Sequence, residues 1–147
     1  MKITSARQGR VFVIRLENGD VVHECLEAAA RREGITHAVC FLLGGADAAS
    51  RLVVGPADGQ ARQIVPTVIT LDNVFEVAGV GTIFPDENGR PVLHLHAACG
   101  RGESARVGCV REGVVTWLVG EVVLLELLDC AATRRRDPTT GFELLDC

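Results

Sequence analysis

The sequence predicts an α+β domain in which one principal helix flanks one face of a largely antiparallel β-sheet. Two observations lead to this fold class. Short apolar segments, many of them rich in β-branched residues, recur along the chain and are separated by brief turns, as in antiparallel sheets. Only one segment, VVHECLEAAARRE, repeats its apolar residues at helical spacing.

The predicted elements follow one another closely along the chain. GRVFVIRL is predicted as the first strand, and the turn residues 17–20 end it. Asp20 is expected to cap the helix that follows, and Gly34 is expected to end that helix. The next strand, ITHAVCFLL, is expected to end in a tight turn at Gly44 and Gly45 rather than in a phosphate loop. The remaining predicted strands are ASRLVVG, RQIVPTVITL, FEVAGVGTIF, PVLHLHAA, ARVGCV and VVTWLVGEVVLLELL.

Length and composition limit the class of protein. A chain of 147 residues fits a single domain, residues 1–147, and has neither an apolar run long enough for a membrane span nor an apolar N-terminal segment. Its six scattered cysteines favour a reducing cytoplasm over a disulfide framework. Because the net charge is −4 with no basic stripe, the isolated domain is expected to bind DNA weakly or not at all.

The C-terminal tail, residues 131–147, differs in composition from the rest of the chain. Arg134 to Arg136 are interpreted as a solvated charge run, since three arginines beside Asp137 create little concentrated field. Apolar residues return after a turn at Asp137 and Pro138, at Phe142, Leu144 and Leu145. The tail is therefore expected to dock on the body of the domain or on a neighbouring subunit.

The stretch PVLHLHAACGRGESARVGC suggests a metal site. In a strand, His94 and His96 project from one face while Leu93 and Leu95 face the core. If residues 101–104 form the hairpin turn, Cys109 lies directly across from His96, close enough to share an ion with it. Two imidazoles and a thiolate would leave a fourth coordination position open, as in catalytic zinc sites. A shift of one residue in the pairing register would move Cys109 to the other face of the sheet and remove it from the site.

Other interpretations of these residues stay open. His94 and His96 also fit the polar half of an ordinary amphipathic strand, with Cys109 as a small buried hydrophobe. Cys99 has the opposite parity and is left out of the set. Arg111 would lie opposite His94 and either hold an anion or face solvent. Glu76 would serve as a general base only if the fold brings it to the site, and otherwise pairs with an arginine.

The order of these segments resembles the plants and prokaryotes conserved domain, or PPC domain, which occurs alone in prokaryotes and also as the C-terminal part of plant AT-hook nuclear-localised proteins. The resemblance covers nearly the whole chain and depends chiefly on the HxH strand and the hairpin partner that contains Gly108. Weaker markers fall in the expected order at Arg10, Gly19, Glu76 and Gly81. It implies an antiparallel sheet with a flanking helix, assembled as a homotrimer.

The resemblance also bears on the metal. It implies a site like that of several prokaryotic members, which hold a metal through the HxH histidines and a third histidine in a Gly-His pair; here that pair is Gly108-Cys109. Either Cys109 replaces that ligand as a thiolate, which favours zinc over harder ions, or the site is lost.

Two function classes follow from the sequence. The first is a stand-alone homotrimeric metal-binding module with a regulatory or DNA-associated role, which recognises a protein partner or a small anionic ligand. The alternative is a zinc-dependent hydrolase or lyase that acts on a small anionic substrate. A cleft with a nearby carboxylate beside His94 and His96 would favour the enzyme, and a flat exposed surface would favour the module.

Overall fold

The computed structural model describes residues 1–61 and 64–147. The order of its elements is β1 (Arg7–Glu17), α1 (Val22–Glu33), β2 (Ala38–Ala46), β3 (Arg51–Pro56), β4 (Pro66–Thr70), β5 (Phe75–Pro85), β6 (Pro91–Arg101), β7 (Ser104–Cys109), a 3₁₀ helix (Val110–Glu112), β8 (Thr116–Leu128), β9 (Thr133–Arg136) and β10 (Glu143–Asp146). The predicted strand RQIVPTVITL begins at Arg62 and Gln63, which lie outside the described residues.

Eight strands form one sheet in the order β1-β8-β2-β5-β6-β7-β3-β4, and every neighbouring pair is antiparallel. Strands β9 and β10 form a separate two-stranded hairpin in the tail. One α-helix accompanies the sheet within the described residues. The predicted α+β class is therefore confirmed.

The helix buries one stripe of its surface. Val22, Leu26 and Ala30 recur every four residues and are buried, while Arg31 and Arg32 lie in the last turn near the negative end of the helix dipole. Gly34 ends the helix as predicted, in a left-handed conformation with φ of 69°.

The predicted cap at Asp20 is wrong. Val21 pairs with Val115 in an isolated bridge, so the chain stays extended for one residue longer and the helix begins at Val22. The carboxylate of Asp20 accepts a hydrogen bond from the backbone N–H of Glu17 instead, at 2.8 Å, and so stabilises the turn.

The predicted tight turn at Gly44 and Gly45 is also wrong. Both glycines lie inside β2, where they pair with Gly120 and Trp117 across an irregularity in the register with β8. A Cβ atom on Gly44 would lie 2.4 Å from the carbonyl oxygen of Val119, and its φ is 146°. Glycine here permits a close approach of two strands rather than a reversal of the chain.

The outer face of the sheet carries a row of exposed apolar side chains. Strand pairing sets Val13 opposite Val123, Val123 opposite Phe41, and Phe41 opposite Val80. We call this the exposed apolar face; its members are Val11, Val13, Phe41, Leu43, Val80, Val107 and Val123. Val80 pairs with His96, so this face continues directly into the HxH strand.

No helix among residues 1–61 and 64–147 has the length and apolar character that crossing a membrane requires. All six cysteines lie in the described part of the chain, and each is a free thiol.

Candidate metal centre

The hairpin β6–β7 has the register that the sequence predicts. Arg101 pairs with Ser104 around a two-residue turn, and His96 pairs with Cys109. Gly108 brings β3 close to this hairpin, because a Cβ atom there would lie 2.6 Å from the carbonyl oxygen of Val53. Cys109 is thereby held between β6 and β3 with 3% of its surface exposed.

The structure brings His94, His96 and Cys109 together. One nitrogen of each histidine and the sulfur of the cysteine all lie within 4.8 Å of one another. The two Nε2 atoms are 3.1 Å apart, and the rings stand nearly perpendicular. Two nitrogens on one tetrahedral zinc ion, each at about 2.0–2.1 Å, are separated by about 3.3 Å. The histidines are thus already spaced as a ligand pair.

Charge around the site favours the ligand form of Cys109. Burial opposes ionisation of the thiol, but hydrogen bonds from His94 and Arg111 outweigh it and lower the pKa of Cys109 from 9.0 to about 6. The Nε–H of Arg111 donates to the sulfur at 3.3 Å. The thiolate, which is the form that binds metals, is therefore favoured near neutral pH.

His96 is also held in its ligand form. Partial burial, followed by the charges of His94 and Arg111, lowers the pKa of His96 below its usual value of 6.5. A neutral imidazole has a free nitrogen lone pair for a metal.

The predicted place of Arg111 is wrong. Strand β7 ends at Cys109 and the chain enters the 3₁₀ helix, so Arg111 does not lie opposite His94 in a strand. Its side chain nevertheless returns to the site through the bond to the sulfur of Cys109.

Two other candidates lie away from the centre. Cys99 is fully buried on the core side of β6, where burial raises the pKa of its thiol to about 11. Glu76 pairs with Gly100, four residues along β6 from His96, which corresponds to about 13 Å along the strand. Glu76 is therefore too far from the histidines to act on a ligand held there.

His94 opens into a cleft of about 610 Å³ between α1, β6 and the tail hairpin. The cleft forms where β7 leaves β6, because the pair of His96 with Cys109 is the last one between these strands. Beyond that pair, the backbone N–H of Leu93 donates to the carboxylate of Glu27 in α1 at 3.0 Å instead of to a residue of β7. The other lining residues are His23, Val92, Arg111, Arg134, Arg136, Gly141, Phe142, Glu143 and Leu144.

The interpretation of Arg134 as part of a solvated run is wrong. Its side chain is only 6% exposed and lines the cleft, since alternate residues of β9 point to opposite sides and Arg134 and Arg136 point inward. Burial lowers the pKa of Arg134. The run TRRR itself shows no alternation that separates Arg134 from Arg135, and only the apolar residues after the turn pointed to docking of the tail.

The other two histidines, His23 and His37, have different surroundings. The Nε2–H of His37 donates to the carbonyl of Ala132 at 2.9 Å, and its Nδ1 accepts from the hydroxyl of Thr36. His23 lines the cleft instead, and its buried Nδ1 has no hydrogen-bond partner among the described residues.

Comparison with known proteins gives a family and a fold. The family model described as the Plants and Prokaryotes Conserved (PCC) domain matches residues 3–128. A metal-containing protein from Archaeoglobus fulgidus shares 23% identity, covers 100% of both chains and superimposes with a TM-score of 0.83.

Two further solved structures are similar. A plant- and prokaryote-conserved protein from Pyrococcus horikoshii has a TM-score of 0.81 at 23% identity, over 100% of this chain and 98% of the other. A Bacteroides thetaiotaomicron protein whose description suggests DNA binding has a TM-score of 0.77 at 20% identity, over 96% of each chain. At these identities the likeness shows the fold alone. No curated protein matches this chain.

Proposed function

The chain belongs to the Plants and Prokaryotes Conserved domain family, and we propose that it is a metal-binding module that holds one zinc ion per subunit through His94, His96 and Cys109. The observation that carries this proposal is the spacing of the three donor atoms within 4.8 Å of one another on one face of the sheet. Zinc bound there would retain an open position at which it polarises a water or a ligand.

The donor set fits zinc in its chemistry as well as its geometry. A thiolate favours soft or borderline ions over calcium or magnesium, and imidazole suits zinc equally. Arg111 would continue to donate to the sulfur, which stabilises the negative charge of the ligand. Leu93 and Leu95, buried in the core, hold the backbone of β6 and therefore fix the direction of both histidines.

Elemental analysis of protein expressed with zinc, and purified without chelators or a histidine tag, tests the proposal. We expect about one equivalent of zinc per chain, loss of the metal in His96→Ala, and retention in Cys109→His, since imidazole can replace the thiolate. His37→Ala is the matched control, because that imidazole bonds to Thr36 and Ala132 instead.

Two results would contradict the zinc site. One is less than about a tenth of an equivalent of any transition metal in the wild type. The other is full metal retention in His96→Ala. Either would make His94 and His96 the polar half of an ordinary amphipathic strand.

We further propose that the module is a homotrimer with a regulatory or DNA-associated role. The exposed apolar face supports association of subunits, because contiguous apolar surface of this kind marks a protein contact. Cyclic symmetry would bury the same face on every subunit. The proposed site lies at the margin of that face, since Val80 pairs with His96.

A zinc-dependent hydrolase or lyase acting on a small anionic substrate is the second candidate. It is favoured by one specific observation: His94 faces a cleft that also contains the carboxylates of Glu27 and Glu143, rather than a flat surface. Glu27 is engaged by Leu93, which leaves Glu143 as the candidate acid or base. Turnover of ester or hydroxy-acid substrates that is lost in both His96→Ala and Glu143→Gln would support an enzyme.

A further inference from the structure

Arg134 is a buried cation that forms no ion pair with a carboxylate of the described residues. One Nη2–H donates to the hydroxyl of Thr82 at 3.2 Å, and the guanidinium carbon lies 5.8 Å from the ring centroid of Phe84. Its buried Nε–H has no hydrogen-bond partner among residues 1–61 and 64–147. Arginine is almost never buried unless it is paired, because an unpaired buried charge is costly.

The cleft that Arg134 lines has an excess of positive charge. Arg111 and Arg136 line it as well, and in the part of the chain that the structure describes none of the three arginines forms an ion pair with a carboxylate. Of its two carboxylates, Glu27 already accepts from Leu93 and lies 3.7 Å from Arg31. The three arginines exceed the two glutamates of the lining by one charge, and Arg134 is the arginine whose buried Nε–H is left for an anion, because Arg111 already donates to the sulfur of Cys109.

The remaining walls of the cleft are apolar. Val92 and Leu93 line the side formed by β6, and Phe142 and Leu144 line the side formed by the tail. The volume of about 610 Å³ lies within the range of small-molecule sites, which are typically about 300–1,000 Å³. A few directed polar groups in an apolar cleft are the usual arrangement for a small organic ligand.

We propose that this cleft binds a small organic monocarboxylate, with its carboxylate on Arg134 and Arg111 and its apolar body against Phe142 and Leu144. The fork of an arginine guanidinium matches a carboxylate in shape and charge. A dianion such as phosphate is less suitable, because Glu27 and Glu143 repel a second negative charge. The Nδ1 of His23, which has no hydrogen-bond partner among the described residues, offers a further polar contact inside the cleft.

This inference names the class of ligand that the proposed module binds. It rests on the proposed zinc site in one respect only, which is that a metal would lie beside the bound carboxylate. The arginines, the histidine and the apolar walls are properties of the chain itself. The site should therefore bind a carboxylate in metal-free protein too, although zinc at His94 would add an attractive charge.

Calorimetric titration of the full chain with benzoate, acetate and inorganic phosphate tests the inference, in both metal-free and zinc-loaded samples. We expect benzoate to bind more tightly than acetate, because acetate lacks the apolar body, and phosphate to bind weakest. Arg134→Gln and Arg111→Gln should each weaken benzoate binding about tenfold or more, since each removes a charged hydrogen bond.

Arg135→Gln is the matched control, because Arg135 is the next residue of β9 but is exposed and pairs with Asp146. Its affinity for benzoate should equal that of the wild type. Circular dichroism checks that Arg134→Gln folds. If it does not fold, the affinity of Arg111→Gln for benzoate tests the inference instead, since Arg111 is exposed.

Nitrogen-15 spectra add a direct readout. The Nε–H signal of Arg134, identified by its absence in Arg134→Gln, should shift when benzoate is added.

Failure to bind benzoate in the wild type, or unchanged affinity in Arg111→Gln, would overturn the inference. Phosphate binding tighter than benzoate would overturn the monocarboxylate class. Zinc content is measured on the same samples. Benzoate binding by protein that takes up no zinc would therefore support the carboxylate site and contradict the zinc site. Zinc uptake without benzoate binding would support the zinc site and contradict the carboxylate site.

Discussion

Cys109 acquires its chemistry from two neighbours. Burial raises the pKa of the thiols of Cys40 and Cys99 to about 12 and about 11, because their surroundings are apolar. Cys109 is buried as well, yet its pKa falls to about 6 since Arg111 and His94 donate to the sulfur. The same residue type is thus a structural hydrophobe at two positions and a candidate ligand at the third.

A second single-residue effect ties β1 to β8. Glu126, with 8% of its side chain exposed, accepts hydrogen bonds from the backbone N–H, Nε and Nη2 of Arg10 at 3.0, 2.8 and 2.6 Å. These bonds lower the pKa of Glu126 from 4.5 to about 2. A carboxyl group whose pKa is depressed in the folded state stabilises the fold above its unfolded pKa, and this contribution is lost as the pH falls through the folded pKa.

We therefore predict that Glu126→Gln destabilises the protein at pH 7, and that the difference from the wild type shrinks between about pH 4.5 and about pH 2. Urea unfolding at several pH values measures it. Glu103→Gln, in the exposed turn between β6 and β7, is the control and should show no such dependence. A stability difference that stays constant down to pH 2 would contradict the role of the Arg10–Glu126 pair.

At the scale of the elements, glycines set how closely neighbouring strands and their side chains pack. A Cβ atom on Gly81 of β5 would lie 2.6 Å from the Cβ of Leu95 and 2.7 Å from the carbonyl oxygen of His94. Backbone atoms cannot move aside as a flexible side chain can. Gly81 therefore holds β5 against the strand that carries both candidate histidine ligands.

Gly81→Ala should destabilise the protein by about 1–3 kcal/mol, the usual cost of overpacking. Gly100→Ala in β6 is the matched control, since a Cβ atom there meets nothing within 4 Å. Urea unfolding of both variants measures the difference. Equal stability of the two would show that β5 and β6 separate without cost. Because β6 carries His94 and His96, Gly81→Ala should also weaken zinc uptake if the proposed site exists.

The elements that the sequence predicted best are those whose ends local chemistry determines. The two-residue turn at Gly102 and Glu103 fixed the register of β6 and β7, so the position of Cys109 opposite His96 followed from counting. Gly34 marked the end of α1 because a left-handed residue is needed there. Alternation in LHLH correctly separated the buried leucines from the exposed histidines.

The errors arose where a distant part of the chain decides the outcome. Gly44 and Gly45 resemble a turn locally, but the approach of β8 keeps them in a strand. Asp20 has the chemistry of a helix cap, but the bridge of Val21 to Val115 moves the start of the helix. Arg134 resembles a solvated residue until the hairpin of β9 and β10 places it against Thr82 and Phe84. No local pattern contains these tertiary contacts.

At the scale of the whole molecule, the exposed apolar face is the feature that a lone subunit leaves unexplained. Val13 is 83% exposed although it lies in the middle of a strand. Residues across β1, β8, β2 and β5 continue the same apolar row. A single copy would present this row to water at the cost of solvating it.

We predict that light scattering gives a mass three times that of the 15.7 kDa chain at micromolar concentration. Phe41→Glu should dissociate the assembly, because it places a charge in the centre of the exposed apolar face. Ile3→Glu, on an exposed residue before β1, is the control and should leave the mass unchanged. A stable monomer of the wild type would contradict the trimer.

The distribution of charge also determines how the molecule meets nucleic acid. The net charge is −4, and the three arginines at Arg111, Arg134 and Arg136 line a cleft beside His94 rather than forming an outward stripe. Affinity for duplex DNA depends chiefly on the number of phosphates that surface cations neutralise, with the logarithm of the affinity falling by about 0.9 per phosphate per decade of salt. Among the described residues, nine further cations already pair with carboxylates.

We therefore predict that the isolated protein binds random duplex DNA weaker than about 10 µM at physiological salt, with a shallow salt dependence. A mobility-shift titration at two salt concentrations measures both quantities, and the same chain carrying an added lysine-rich tail shows that the assay detects binding. The tailed chain should bind duplex DNA more tightly than the untagged chain, because the lysines of the tail supply phosphate contacts that the folded domain does not. A submicromolar complex of the untagged chain with a steep salt dependence would contradict the prediction, because it would require many phosphate contacts from a chain whose net charge is −4.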